Sequence, residues 1–199
     1  MSEVPAGDEL WLIRHAQSTW NAAGRWQGHC DSPLSELGRS QAKELAQRLD
    51  PGAVDVLVSS DLERALETAR IVGAAIGREP DPDPGFRELD LGAWGGLTRP
   101  EIQERWPDVL RRFDADDLDA RPVEGETRAE LAVRVHAATA RVVAENPGRR
   151  IAIVTHYGAI QALVPGIWLE NAELYRAPLA SLELEVGSIR SMPGSGRQN

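Results

Sequence analysis

Leu10-Trp11-Leu12-Ile13-Arg14-His15-Ala16-Gln17-Ser18-Thr19-Trp20-Asn21 is the stretch from which the fold can be read. Its first four residues are a short apolar run, the pattern of a buried strand. The run stops at a permanent cation and an imidazole, and hydrogen-bonding side chains follow. In open α/β sheets, ligands bind beyond the carboxyl ends of the strands. A guanidinium there offers a planar fork of donors to an anion. An imidazole beside it can act as nucleophile or proton carrier.

Two more strands end in the same way. Val54-Asp55-Val56-Leu57-Val58 leads into Ser59-Ser60-Asp61, and Ile151-Ala152-Ile153-Val154-Thr155 leads into His156-Tyr157-Gly158. The second of these is apolar throughout, as in the middle of a parallel sheet. Helical periodicity lies between them. Ser35 caps a helix that carries Leu37, Ala42, Leu45, Ala46 and Leu49 and stops at Pro51-Gly52. Asp61 is predicted to cap the next, with Leu62, Ala65, Leu66, Ala69, Val72 and Ile76 on one face. A long helix runs from Arg128 to Glu145, and another from about Ala159 to Leu169. Arg64 falls in a first turn, where the helix dipole is positive and a cation is out of place. At a strand-to-helix corner, beside exposed backbone N–H groups, it suits an anion. Strand–helix alternation predicts an α/β fold, a three-layer sandwich with a mostly parallel central sheet flanked by helices. That topology brings Arg14-His15, the Arg64 corner and His156 to one sheet edge. With Glu88 they have the makings of phosphoryl chemistry.

The other segments are less decided. The loop after Asn21 carries Trp26, which with Trp20 either lines a site or packs beneath the loop. His29 is read as structural. Glu79 to Gly85 is an edge strand or an extended connector. Short helices at Arg99–Trp106 and Pro107–Phe113, with the acidic loop after them, suggest a lid. Arg111-Arg112 either grips a substrate anion or forms a solvated helix face. Leu182-Glu183-Leu184-Glu185-Val186 alternates like an edge strand. Residues 1–192 are read as one domain and 193–199 as a disordered tail.

The net charge of −9 excludes nucleic acid and an anionic membrane as main partners. A phosphate site must then be a local positive pocket in an acidic body. Cys30 is the only cysteine, so no internal disulfide forms. No apolar run is long enough for a bilayer, and the polar start has no signal-peptide core, which makes the cytoplasm the expected compartment. Neither an aspartate cluster nor a closely spaced histidine pair suggests a metal.

In order along the chain stand Arg14-His15 with Thr19 and Asn21, then Pro33-Leu34-Ser35-Glu36-Leu37-Gly38. Ser59-Ser60-Asp61-Leu62 with Arg64, Ala65, Thr68 and Ala69 follows. Arg87-Glu88-Leu89 with Gly92, Trp94 and Gly96 comes next, then Gly125-Glu126-Thr127 and Val154-Thr155-His156. This series resembles the histidine phosphatase, or phosphoglycerate mutase-like, superfamily, over Leu10 to Leu169. Ala16 stands where the family usually has Gly, and Gly95 where many phosphatases have Glu.

The resemblance implies a phosphoglycerate mutase-like fold and a metal-independent phosphomonoester hydrolase. His15 would be the nucleophile and form a phosphohistidine. Glu88 would be the proton donor and His156 a further catalytic group. Arg14, Asn21 and Arg64 would bind the phosphoryl oxygens, and Gln27, Gly28 and Tyr157 the rest of the substrate. It implies no metal and no cofactor, a small phosphorylated metabolite as partner, and a monomer or homodimer. Two alternatives stay open: a cofactor-dependent phosphoglycerate mutase, with Arg111-Arg112 as the substrate grip, and a non-catalytic phospho-ligand binder.

Overall fold

The computed structural model describes residues 9–182. In chain order its elements are β1 (Glu9–Arg14), α1 (Thr19–Ala22), α2 (Glu36–Gln47), β2 (Val56–Ser59), α3 (Glu63–Ile76), β3 (Asp81–Pro82), α4 (Arg99–Arg105), α5 (Pro107–Asp114), α6 (Arg128–Glu145), β4 (Ile151–Thr155), α7 (Tyr157–Leu163) and β5 (Leu174–Pro178). One five-stranded sheet runs in the order β3-β2-β4-β1-β5. β1 to β4 are parallel, and β5 is antiparallel on the edge beside β1.

β4 lies between β1 and β2 and is buried along its whole length, as its unbroken apolar sequence predicts. Successive strand side chains point to opposite faces, and the core divides accordingly. Leu10, Leu12, Ile151 and Ile153 pack with Leu131, Val135, Val142 and Ile160 from α6 and α7. Trp11, Ile13, Ala152 and Val154 pack with Ala42, Leu45, Ala65, Ala69 and Val72 from α2 and α3. The three-layer sandwich with a mostly parallel sheet is the fold expected from the strand–helix alternation.

Local chemistry accounts for most element ends. Ser35 caps α2 by accepting the Gly38 N–H at 2.9 Å. Thr127 and Glu130 form a capping box on α6. Three expectations change. Asp61 does not cap α3; Leu62 holds that position, and Asp61 makes a bidentate pair with Arg87 at 2.7 and 2.6 Å. An extended salt bridge is open to a carboxylate one residue upstream of the helix start. α7 ends at Leu163 and not near Leu169, because Pro165 pushes Val164 to φ −133°, ψ 83°, out of the helical region. The antiparallel edge strand is Leu174–Pro178, a segment whose sequence suggested no element. Leu182 closes a 3₁₀ turn, and the rest of the strand expected there lies outside the described residues, as does the tail at 193–199.

Gly38 fixes how α2 meets the loop after β1. A Cβ on it would lie 2.0 Å from the Gln17 carbonyl oxygen, and that carbonyl also accepts the Ser35 N–H at 2.9 Å. Glycine to alanine in an exposed helix interior stabilises by about 1 kcal/mol. Here the sign should reverse: Gly38→Ala is expected to destabilise by about 1–3 kcal/mol, the usual cost of overpacking. Urea denaturation measures it, and a stabilised variant would contradict this packing.

Candidate active site

Strand register builds the site. Arg14 pairs with Thr155, so β1 and β4 end level, and Ser59 pairs with Val154, so β2 ends one residue earlier. The residues just beyond, His15, His156 and Ser60, therefore fall close together. The His15 N–H reaches Thr155 O at 2.9 Å and the Ser60 N–H reaches Val154 O at 2.9 Å, extending the ladder by one step. The two imidazole rings lie 5.0 Å apart between centroids.

Both rings are buried, and the tautomer of His15 can be read from its partner. His15 Nδ1 is 2.7 Å from Ala16 O. A carbonyl only accepts, so Nδ1 carries the proton and Nε2 keeps its lone pair. Burial and then Arg64 push the His15 imidazole well below its ordinary 6.5, against the Ala16 hydrogen bond. His156 Nε2 is 2.8 Å from Ser60 Oγ, which also accepts the Leu62 N–H at 3.3 Å. When the Ser60 hydroxyl donates to Nε2, the imidazole proton sits on Nδ1. Burial, then Arg64 and His15, lower His156 well below 6.5 as well.

Arg64 is as enclosed as the imidazoles, and Arg14 is half-buried. Arg64 is only 1% exposed. Its Nη1 and Nη2 donate to Cys30 O at 3.0 Å and Gly28 O at 2.8 Å. Arg14 donates from Nη1 to Leu169 O at 2.6 Å. Burial lowers both guanidinium pKa values, yet an arginine stays charged. Arg14 Nε, Arg64 Nε and His156 Nδ1 are buried without a partner. Orphaned buried polar groups are uncommon; these three belong to side chains at the strand ends, and Trp94 Nε1 in the core is a further one.

Glu88 approaches from the far side of the sheet end. Its Oε1 accepts the Leu89 N–H at 2.8 Å and its Oε2 the Gly158 N–H at 3.1 Å. A Cβ on Gly158 would sit 2.3 Å from that Oε1, so a larger residue where α7 begins would displace the carboxylate. The Glu88 backbone is held as firmly. Arg134 on α6 donates to the carbonyls of Gly85, Arg87 and Glu88 at 3.0–3.1 Å and pairs with Glu126. His29 Nε2 meets Glu88 O at 2.8 Å, a structural role as expected.

A cavity of about 460 Å³ is lined by Arg14, His15, Arg64 and Glu88, while His156 is fully buried and is not part of its wall. Arg14, Arg25, Arg64 and Arg128 face only Glu88 and Asp116 as charged wall residues of opposite sign. It is the local positive pocket that the acidic composition called for. His15, Asn21, Gln27, Gly28 and Tyr157 also line it. Gln27 Oε1 accepts from Ser18 and Ser32 hydroxyls, and Asn21 Oδ1 from Ser18. Both side chains thus keep their amide NH₂ groups for other partners. Gly28 has φ +55° and a Cβ there would lie 2.7 Å from Leu91 N. Tyr157 stacks against Arg14 at 5.3 Å.

Both readings of Trp26 hold: it lines the cavity and packs on Trp94 and Phe113. Trp20 instead faces Gly96. Arg111 and Arg112 form a solvated face, paired with Asp108 and Asp117, and Arg111 is 74% exposed. Arg128 and Arg134 were not anticipated. Arg128 had a signal: like Arg64, it is a cation in the first turn of a helix. Arg134 had none, since its carbonyl partners lie some fifty residues away. Among the described residues no group of three or more His, Cys, Asp or Glu could hold a metal ion. No described helix is long and apolar enough to cross a membrane.

Parallel strand ends that gather cations and neutral imidazoles around a pocket define an α/β protein built to hold a phosphate-like anion. The chain belongs to branch 1 of the histidine phosphatase superfamily, whose family model matches residues 10–189. A glucosyl-3-phosphoglycerate phosphatase of Mycobacterium tuberculosis is 36% identical over 180 residues, 86% of this chain and 77% of that protein. Phosphoserine phosphatase 1 of Hydrogenobacter thermophilus is 34% identical over 155 residues, 78% of this chain and 74% of that protein. A solved mycobacterial glucosyl-3-phosphoglycerate phosphatase, in complex with VO3, superposes with TM-score 0.76 at 34% identity, covering 85% of this chain and 92% of that one.

The neutral buried histidines carry a stability signature. Between the folded pKa and about 6.5, the unfolded chain binds protons that the folded one refuses. Stability therefore falls as pH drops below about 6.5, by up to about 1.4 kcal/mol per pH unit for each such group. Above that pH neither contributes. His15→Asn should flatten the dependence between pH 6.5 and 5 relative to wild type. Denaturation at both pH values reads the difference, and equal slopes would contradict a neutral His15.

Proposed function

We propose that this chain hydrolyses phosphomonoesters through a phosphohistidine on His15, acting on a small phosphorylated metabolite. One observation carries the reading: His15 has its Nδ1 proton committed to Ala16 O, and its neutral ring stands among Arg14, Arg64 and His156. A nucleophile needs that free lone pair, and three donors beside it match the spread of charge over a transferring phosphoryl group.

In the first step His15 Nε2 attacks phosphorus and the bond to the ester oxygen breaks. Glu88 gives its proton to the departing oxygen, which leaves as an alcohol. Arg14, Arg64 and the His156 Nδ1–H take the non-bridging oxygens, with the Asn21 amide as a neutral donor. In the second step water attacks phosphorus, Glu88 takes its proton, and the P–N bond breaks to return His15 and release phosphate. The arginines supply the charge neutralisation that a metal would otherwise give. Gln27, Gly28 and Tyr157 wall the space for the alcohol portion. The names of the phosphatase relatives support hydrolysis. The mutase reading draws nothing from Arg111-Arg112, which face solvent.

Glu88 distinguishes this mechanism from simple anion binding. An aryl phosphate leaves as a stabilised phenolate, whereas an alkyl phosphate needs the proton. Glu88→Gln should cut kcat/KM for an alkyl phosphate by about 10²–10⁴-fold and for para-nitrophenyl phosphate by much less. Wild-type turnover of both should persist in excess chelator. Equal losses on the two esters would remove Glu88 as the acid, and activity lost to chelation and restored by Mg²⁺ or Zn²⁺ would overturn the scheme.

A further inference from the structure

The cavity holds a cation that a phosphoryl group on His15 does not use. Arg128 is the first residue of α6 and lines the pocket. Its guanidinium carbon sits 3.9 Å over the Phe113 ring, which fixes the plane of the fork. Its two hydrogen bonds both start at Nη1, to Phe113 O at 2.8 Å and Asp116 Oδ1 at 3.1 Å. Neither bond uses Nε or Nη2, and a guanidinium edge of that kind can meet a carboxylate side-on through two parallel N–H···O bonds.

The supporting residues are placed at a cost. Asp116 adopts φ +55°, the left-handed region, while it holds Arg128. Arg128 is itself half-buried, and burial opposes its charge while Asp116 and Asp114 favour it. A surface ion pair requires neither burial nor strain. Tyr157 connects this end of the pocket to the phosphoryl end. Its ring meets Arg14, and both Arg14 and Arg128 act on its hydroxyl, against the burial that raises its pKa. Leu118 and Leu131 make the wall nearby apolar.

We propose that Arg128 receives the carboxylate of a carboxylated phosphomonoester, so that the site selects a phosphorylated hydroxy acid or amino acid over esters without that group. The proposal rests on the phosphatase reading for where the phosphate sits. Asp116 beside Nη1 favours a singly charged, planar carboxylate over a second phosphate dianion.

The test compares 3-phosphoglycerate with glycerol 3-phosphate, which differ only in a carboxylate for a hydroxymethyl group. Wild type should show kcat/KM at least about ten-fold higher for the first. Arg128→Met should bring the ratio close to one, and Arg128→Lys should keep part of it, since an ammonium is a charge without a fork. A wild-type ratio near one, or a ratio untouched by Arg128→Met in a folded variant, would overturn the proposal. If Arg128→Met does not fold, the wild-type ratio and the Lys variant decide. If neither ester nor para-nitrophenyl phosphate turns over, the phosphatase reading fails. Calorimetric binding of the same two probes to the wild-type chain then still reads the carboxylate preference. Tighter binding of 1,3-propanediol bisphosphate than of 3-phosphoglycerate would assign the second anion as phosphate and overturn the carboxylate.

Discussion

The parallel pairing of β1 with β4, with Arg14 opposite Thr155, is the constraint from which the site follows. Strand side chains alternate faces, and a slip of one residue would turn His15 away from His156 and move the apolar residues of β1 to the wrong core. Leu10 and Leu12 on one face, with Trp11 and Ile13 on the other, hold the register from both sides. The hydrophobic effect that stabilises the sheet therefore also sets the separation of the two imidazoles. No loop rearrangement is needed to bring them together, because each directly follows one of the paired residues Arg14 and Thr155 on neighbouring strands.

The same burial sets the chemistry. Excluding water keeps His15 and His156 neutral, and it makes the Arg14 and Arg64 charges act at short range in a weakly screened cavity. A chain with a net charge of −9 thus presents a concave surface dominated by arginine. Arg64 reconciles the two demands. Its Nη atoms are held by the neutral Gly28 and Cys30 carbonyls, and Asp31 Oδ1 stands 3.6 Å from Nη1. Glu88 is treated in parallel fashion: backbone N–H groups take its oxygens, while Arg134 and His29 take its carbonyl and leave the carboxyl group itself uncommitted to a cation.

Strand ends and capping residues were legible in the sequence because their signals are local. An apolar run followed by Arg14-His15, a β4 with no polar residue before Thr155, and Ser35 three residues before Gly38 each say what the chain does next. Arg64 in a first turn was legible for the same reason, as a cation in the wrong place. What escaped depends on distant partners. Asp61 looks like a helix cap until Arg87 comes within reach from 26 residues away. Arg134 looks like any helical arginine until the Gly85–Glu88 carbonyls meet it. β5 is short and half exposed, so it lacks the strong apolar pattern of an inner strand. Arg111 and Arg112 attracted attention as an adjacent pair, while the arginine that reaches the cavity, Arg128, stands alone in sequence.

The central claim is that the lone pair left on His15 by its bond to Ala16 O attacks phosphorus, and trapping the intermediate tests it most directly. A phosphoramidate is labile in acid and stable in base. Quenching the enzyme into alkali during turnover of a phosphomonoester, followed by peptide mass spectrometry, should find one phosphoryl group on His15 and none in His15→Ala. A label on His156 would mean that the two histidines have exchanged roles. No label on either histidine, where an intermediate should accumulate, would make direct attack by water the better account and leave His15 a charge-stabilising group.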